Sequence, residues 1–377
     1  MGDEQKAEPQ SQSIVERLAR PNILALNPYR CARDDYDRGI LLDANENALG
    51  PTSVPTSCLP DDNSMVLERY PCPYQIPLKT LYSKYRGCGL APSNIFVGVG
   101  SDEAIDLLMR IFCTPGKDTI LTTPPTYGMY KVCAAVNDVR ILAVPLSPDF
   151  DLRMEPMLEA VEESTKLLFI CSPGNPTAKA IPLKDVERIC SSNLYNGIVV
   201  VDEAYVDFSK KGSAVELISK YENVVVLQTL SKAFGLAGIR MGFAIGNPEI
   251  IQLMNNVKAP YNINKLSSDV AVNALKNIPT LETNIGILLK EREVLMTKLN
   301  ALEFVTKVYP SDANFVLFRM KQLAQELYVT MANRGIVTRF RGNEIHCEEC
   351  LRVTVGTPEE NVKFLGMLVD TYAELSK

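Results

Sequence analysis

"GIVVVDEAYVDF", Gly197–Phe208, begins as an aliphatic run and ends in carboxylates and aromatics. Ile198–Val201 are all β-branched and show no polar alternation, the pattern of a strand covered on both faces. The run stops at Asp202, so a carboxylate stands at the strand's carboxyl end. Runs of the same kind recur on either side: "NIFVGVG" (94–100), "DTILTT" (118–123), "VRILAVPL" (139–146), "KLLFICS" (166–172), "NVVVLQT" (223–229) and "MGFAIG" (241–246). Amphipathic segments such as "SDEAIDLLMRIF" and "LKDVERICSSNL" lie between them. This alternation predicts an α/β layer fold with a mostly parallel sheet.

Past "KAPYNIN" (258–264) the character changes. Residues 266–301 read as long helix, with apolar residues at helical spacing in "ILLKEREVLMTKL". "NFVLFRM", "GIVTRF" and "CLRVTVG" then suggest a small sheet, and the last twenty residues return to helix. The expected organisation is an N-terminal arm (1–31), a large α/β domain (32–263) and a smaller α+β domain (264–377). The polar opening "MGDEQKAEPQSQS" reads as a disordered leader without the apolar segment of a secretory signal.

The totals narrow the function. A net charge of −6 without a long basic run disfavours nucleic acid and anionic membranes as partners. No apolar run is long enough to span a bilayer. Ten cysteines in a long chain with no export signal read as reduced thiols in the cytoplasm. His346 is the only histidine, which removes most Ser–His–Asp and multi-histidine metal schemes.

In an open α/β sheet, ligands sit outside the carboxyl ends of the strands. Those ends carry Gly100, Ser101 and Asp102; Pro125 and Tyr127; Asn175; Asp202, Ala204 and Tyr205; and Ser231 with Lys232. "GVGSDEA" is a glycine-rich turn opening a helix, suited to an anion. Its Gly98-x-Gly100 spacing hints at a dinucleotide, but Glu103 stands where the third glycine belongs. Taken singly, Asp202 reads as a cap, Asn175 as a turn residue, and Tyr127 and Tyr205 as half-buried aromatics. Lys232 is different. In "TLSKAFGLAGIRMGF" (229–243) it sits among small residues at the sheet edge, where partial desolvation lowers an amine's pKa and makes it a Schiff-base nucleophile. A lysine, a buried carboxylate and an anion cradle together fit pyridoxal 5′-phosphate, with Arg240 reaching the phosphate beside Ser101, Asp102 and Ser231.

With these residues in hand, the chain resembles the fold-type I pyridoxal-phosphate-dependent aminotransferases, and among them the histidinol-phosphate aminotransferases of the fungal kind. The matching motifs are "NPYRCARDDY", "LLDANEN", "RYPCPYQ", "VGVGSDEAIDLL", "PPTYGMY", "SPGNPT", "VVVDEAYVDF", "TLSKAFGLAGIRMGF", "KAPYNIN" and "CLRVTVGT", spread over about residues 27–357. The resemblance implies a seven-stranded, mostly parallel sheet sandwiched by helices, plus the small domain. It implies Lys232 as the Schiff-base lysine, Asp202 as partner of the pyridine nitrogen, and Tyr205 and Asn175 as partners of the ring's phenolic oxygen. Tyr127 matches the aromatic stacked on the ring; Gly100, Ser101, Asp102, Ser231 and Arg240 fall around the phosphate. Tyr70 matches a tyrosine that reaches the phosphate of a second subunit, which implies a homodimer with shared sites. Arg352, Arg339, Tyr29, Asn45 and Asn175 fall at substrate positions. The implied reaction exchanges an amino group between L-histidinol phosphate and 2-oxoglutarate, giving imidazole-acetol phosphate and L-glutamate, in histidine biosynthesis; no metal is implied.

One departure is Ala178 in "NPTA", where the family commonly has glycine; a positive φ there would strain alanine. "HCEEC" (346–350) places a Cys-x-x-Cys just before Arg352 but lacks a second paired motif for zinc. Three rivals stand beside this reading: another aminotransferase taking an aromatic or other amino acid, a non-catalytic module on the same fold, and an NAD-dependent dehydrogenase, which Glu103 disfavours.

Overall fold

The computed structural model describes residues 12–25 and 67–377. All seven apolar runs are strands: β1 (Ile95–Val99), β2 (Thr119–Thr122), β3 (Arg140–Ala143), β4 (Thr165–Cys171), β5 (Ile198–Asp202), β6 (Val224–Thr229) and β7 (Met241–Gly246). They form one sheet in the order β1-β7-β6-β5-β4-β2-β3. β7 runs antiparallel to both β1 and β6, while the β6–β5–β4–β2–β3 pairs are parallel. Every residue of β5, β6 and β7 is buried, as unbroken aliphatic runs require.

The helices are α1 (Ile14–Leu18), α2 (Pro21–Leu24), α3 (Ile76–Arg86), α4 (Gly100–Phe112), α5 (Met129–Val136), α6 (Met154–Glu159), α7 (Leu183–Cys190), α8 (Pro248–Val257), α9 (Lys265–Leu275), α10 (Ile278–Asn300), α11 (Ala324–Asn333) and α12 (Pro358–Leu375). One face of the sheet buries Phe96, Phe169 and Val200 against Leu108 of α4 and Met254 of α8. The other buries Val97, Val201 and Phe243 against Tyr82 of α3, Ile189 of α7 and Leu275 of α9. Among the described residues, no helix is long and apolar enough to cross a membrane.

The helix expected over 266–301 is two helices, α9 and α10. Pro279 lies in the first turn of α10, where its missing N–H costs nothing. In a continuous helix its ring would press on the carbonyl four residues back, so the break falls just ahead of it. The antiparallel second sheet has order β10-β11-β9-β8, from β8 (Val305–Val308), β9 (Phe315–Met320), β10 (Arg339–Phe340) and β11 (Cys350–Thr354). Val316, Phe318, Leu351 and Phe364 pack with Leu295 and Leu299 of α10 in a core of its own. Ala178, Tyr205 and Ala233, from loops beyond the large sheet, pack with Leu281, Ala313 and Phe315. Arg292 of α10 fastens this junction by donating to the Ala313 carbonyl at 2.9 Å.

Candidate active site

The strand-end residues converge beside that junction. A cavity of ≈ 290 Å³ is lined by Ser101, Asp102, Tyr127, Asn175, Asp202, Tyr205, Ser231, Lys232, Arg240, Arg339 and Arg352. A wider hollow of ≈ 910 Å³ adjoins it, sharing Tyr127, Asn175, Arg339 and Arg341, and runs out past Thr126, Met129 and Glu344. Tyr29 and Asn45 lie outside the described residues.

The floor is the end of β5. Asp202 is 2% exposed, and burial pushes its carboxyl up to about 6. Its Oδ2 accepts from the Tyr130 hydroxyl at 2.7 Å, while Oδ1, equally buried, has no partner. A buried carboxylate oxygen without a donor is costly unless the site is built for a cationic N–H. Tyr130, from "PPTYGMY", is a supporting residue the sequence reading did not single out. Lys232 follows β6 and projects into the cavity, its Nζ 5.5 Å from the centre of the Tyr205 ring. Burial lowers its pKa, and the Arg352 and Arg240 guanidiniums press the same way. Tyr205 is held edge-on by Phe315 at 5.1 Å between ring centres. Asp207, one turn on, is locked by a buried ion pair with Arg86 of α3 at 2.5 Å, which fixes the loop carrying Tyr205.

Opposite lies a cradle for an anion. Ser101 and Asp102 occupy the first turn of α4, whose N–H groups the helix itself leaves unused. Arg240, in left-handed backbone at φ 52°, donates to Ser231 Oγ and to Asp102 Oδ2, each at 3.3 Å. Asp102 Oδ1 accepts from the Tyr127 hydroxyl at 3.0 Å. Two glycines make the approach possible. Gly100 has φ +70°, and a Cβ there would fall 2.6 Å from Arg240 Nη2; one on Gly242 would fall 2.2 Å from the Ser101 nitrogen. Gly100 shapes the cradle rather than donating to it, because its own N–H goes to the Arg240 carbonyl at 3.0 Å.

The third wall comes from the small sheet. Arg352 on β11 stands opposite Arg339 on β10, donates to Asn175 Oδ1, and stacks 5.0 Å above the Phe315 ring. Arg341 lines the cavity beside them and was not anticipated, although the alternation in "RFR" places it on the same side as Arg339. Tyr70 is elsewhere: it is 53% exposed and stacks on Tyr261 at 4.6 Å between ring centres.

Three secondary expectations are also resolved. Glu103, half-buried, accepts from Val99 N at 2.5 Å and Asn262 Nδ2 at 3.0 Å, tying the β1–α4 turn to the segment after α8. Ala178 does have positive φ, +60°, with its methyl buried beneath Tyr205 and Phe315. Cys347 and Cys350 are buried free thiols with Leu317 and Tyr309.

The pattern defining the family "aminotransferase class I and II" matches residues 38–368. The histidinol-phosphate aminotransferase of Saccharomyces cerevisiae is 44% identical over 96% of this chain and 98% of its own. That of Schizosaccharomyces pombe is 45% identical over 92% and 94%. Among solved structures, the histidinol-phosphate aminotransferase of Clostridium acetobutylicum superposes with TM-score 0.75 at 25% identity, over 85% of this chain and 96% of that one. The Sinorhizobium meliloti enzyme, solved with pyridoxal-5′-phosphate, gives 0.74 at 22% identity, over 88% and 90%, a likeness of fold. With a family match over most of the chain and relatives at 44–45% identity, on this sheet, the chain belongs to the class I and II aminotransferases, within the histidinol-phosphate aminotransferase family.

Proposed function

We propose that this chain transfers the amino group of L-glutamate to imidazole-acetol phosphate, giving L-histidinol phosphate and 2-oxoglutarate, reversibly and with pyridoxal 5′-phosphate as cofactor. The observation that carries this reading is the unpartnered Asp202 Oδ1 at the foot of a cavity that also holds Lys232 and the Arg240 cradle.

The residues fit the cofactor at three points. Asp202 would pair with the pyridinium N–H, and Tyr130, bonded to Oδ2, keeps the other carboxylate oxygen oriented toward it. Ser101, Asp102, Ser231 and Arg240 would surround the phosphate. Tyr127, tethered through its hydroxyl to Asp102, would cover one ring face, with Asn175 and Tyr205 at the phenolic edge. Bound there, the cofactor supplies an electron sink for the negative charge that develops at the substrate's Cα. Lys232 Nζ, its basicity lowered by burial and nearby guanidiniums, takes the proton from that Cα as general base. Arg352 and Arg339 hold the substrate's anionic end, and a planar guanidinium suits carboxylate and phosphate alike.

We also propose a homodimer with shared sites. Tyr70 stands on Tyr261, outside its own chain's cavity, and would serve a second copy. Mixing a Lys232→Ala chain with a Tyr70→Phe chain tests this: sharing predicts hybrid dimers with one site intact in both residues. The free thiols at all described cysteines suit a cytoplasmic setting. The direct test of the reaction is kcat/KM for histidinol phosphate against phenylalanine and tyrosine as donors. The reading predicts a preference of at least about 100-fold for histidinol phosphate, the scale of one buried charge-assisted contact; equal rates would replace it with an aromatic aminotransferase.

A further inference from the structure

The small-sheet wall carries more positive charge than a carboxylate substrate needs. Arg339 and Arg352 face each other in register, and Arg341 extends the ladder by donating its backbone N–H to the Cys350 carbonyl at 2.9 Å. All three arginines line the inner cavity. Among the described residues Arg339 has no hydrogen-bond or ion-pair partner there, and Arg352 bonds the neutral amide of Asn175 and lies over the Phe315 ring, with no ion-pair partner. Arg341 alone bonds a carboxylate, donating to Glu344 Oε1 at 2.9 Å, though Arg352 and Arg339 also feel that charge. The Nε atoms of Arg341 and Arg352 are buried without a partner. Burial lowers the Arg352 pKa, and Arg341 and Arg339 press the same way, while Tyr205 and Glu344 pull against them. Around neutral pH a phosphate monoester carries about 1.5 to 2 negative charges and a carboxylate one. Glu344 lines the outer hollow and Arg341 lines both chambers, so Arg341 stands where it can turn from one to the other.

We propose that Arg341 is a specificity-determining substrate residue: it leaves Glu344 for the substrate's phosphate and stays on Glu344 when the substrate offers a carboxylate. The inference rests on the reading that one of the two substrates is a phosphate monoester. Glu344 then acts as a positioning residue. It holds Arg341 back from the weaker anion, so one pocket serves two substrates of different charge without binding glutamate too tightly.

The test is the split between the two half-reactions in the cofactor-loaded enzyme. Arg341→Gln is expected to raise KM for histidinol phosphate about 10- to 100-fold, the scale of a charged hydrogen bond, with KM for glutamate within about threefold. Arg341→Lys should recover part of the loss. Glu344→Gln should lower KM for glutamate by about two- to fivefold, by freeing Arg341 for the weaker anion, and KM for histidinol phosphate by no more than that. Inorganic phosphate, as competitive inhibitor, should lose affinity in Arg341→Gln by a factor similar to histidinol phosphate. Cofactor absorbance and thermal melting report whether each variant folds; should Arg341→Gln fail, Arg341→Lys reads the same split and Glu344→Gln reads its converse. Equal changes in both KM values in the Arg341 variants, none in either, or a glutamate KM unmoved by Glu344→Gln would overturn the proposal. A wild-type enzyme inactive on histidinol phosphate would instead overturn the reading beneath it.

Discussion

Three described lysines, Lys79, Lys232 and Lys258, sit in cavities with lowered basicity, and only Lys232 is placed to do chemistry. Lys79, on α3, is 7% exposed; burial, with Lys258 adding repulsion, brings its pKa down to about 8. Its cavity, ≈ 350 Å³, is lined by prolines, tyrosines and amides such as Tyr74, Pro248 and Gln252, with no carboxylate among the lining residues. Lys232 shares its cavity with a buried carboxylate that has one oxygen unpartnered, a helix N-terminus and Arg240. A perturbed amine is therefore a poor marker of a site when taken alone. What distinguishes Lys232 is the set of complementary groups that the strand ends bring to it.

Mutating Lys232 and Lys79 should break this comparison most sharply. Lys232→Ala is expected to lower turnover by about 10³-fold or more, since it removes both the covalent anchor and the base. Lys79→Met should leave turnover within about threefold. Comparable losses in steady-state assays would erase the distinction between the two cavities.

The two buried ionisable groups should also leave opposite pH signatures on the stability of the cofactor-free protein. The Asp202 pKa is raised from 3.8 to about 6. Below about pH 4 its carboxyl is neutral whether folded or unfolded, so it costs nothing. Between pH 4 and 6 the unfolded chain loses the proton first, and stability falls as pH rises. Asp202→Asn should match wild type at pH 4 and exceed it by about 3 kcal/mol at pH 8, while losing most of its activity. Lys79 is lowered from 10.5 to about 8, so its charged form is disfavoured on folding and stability rises between pH 8 and 10.5. Lys79→Met should therefore exceed wild type by about 3 kcal/mol at pH 7, and the gain should vanish above about pH 10.5. Denaturant titrations across pH measure both; a gain in the wrong window would contradict the assigned burial.

The smallest effect belongs to Ala178. Its left-handed backbone costs about 1–2 kcal/mol. Glycine would relieve that cost, but it would lose a buried methyl worth about 0.8 kcal/mol and gain unfolded-state entropy worth about 0.4–1 kcal/mol. Ala178→Gly should change stability by less than about 1 kcal/mol and leave turnover unchanged; a larger loss would mean that the methyl positions Tyr205.

Much of the site was legible because strand ends are easy to find. Unbroken aliphatic runs mark buried strands, and the polar residue that stops each run marks an end, so Asp202, Asn175 and Lys232 could be placed before their neighbours were known. Direction was not legible. "MGFAIG" reads alike in either sense, and only the sheet shows that β7 runs against β6 and β1. The edge strand β8, "VTKV", was missed because it is too short and too exposed to stand out from a loop. Tyr130 escaped for another reason: its role depends on Asp202, and spacing along the chain does not encode that pairing. Arg341 escaped although the alternation in "RFR" places it beside Arg339 and Glu344 lies three residues on.

The most direct test of the central claim is to reduce the cofactor-loaded protein with borohydride, which fixes the cofactor to whichever amine carries it, and to map the labelled peptide. The account predicts a single label on Lys232, in the peptide that contains "TLSKAFG". A label on Lys79 or any other lysine, with Lys232 unmodified, would contradict it.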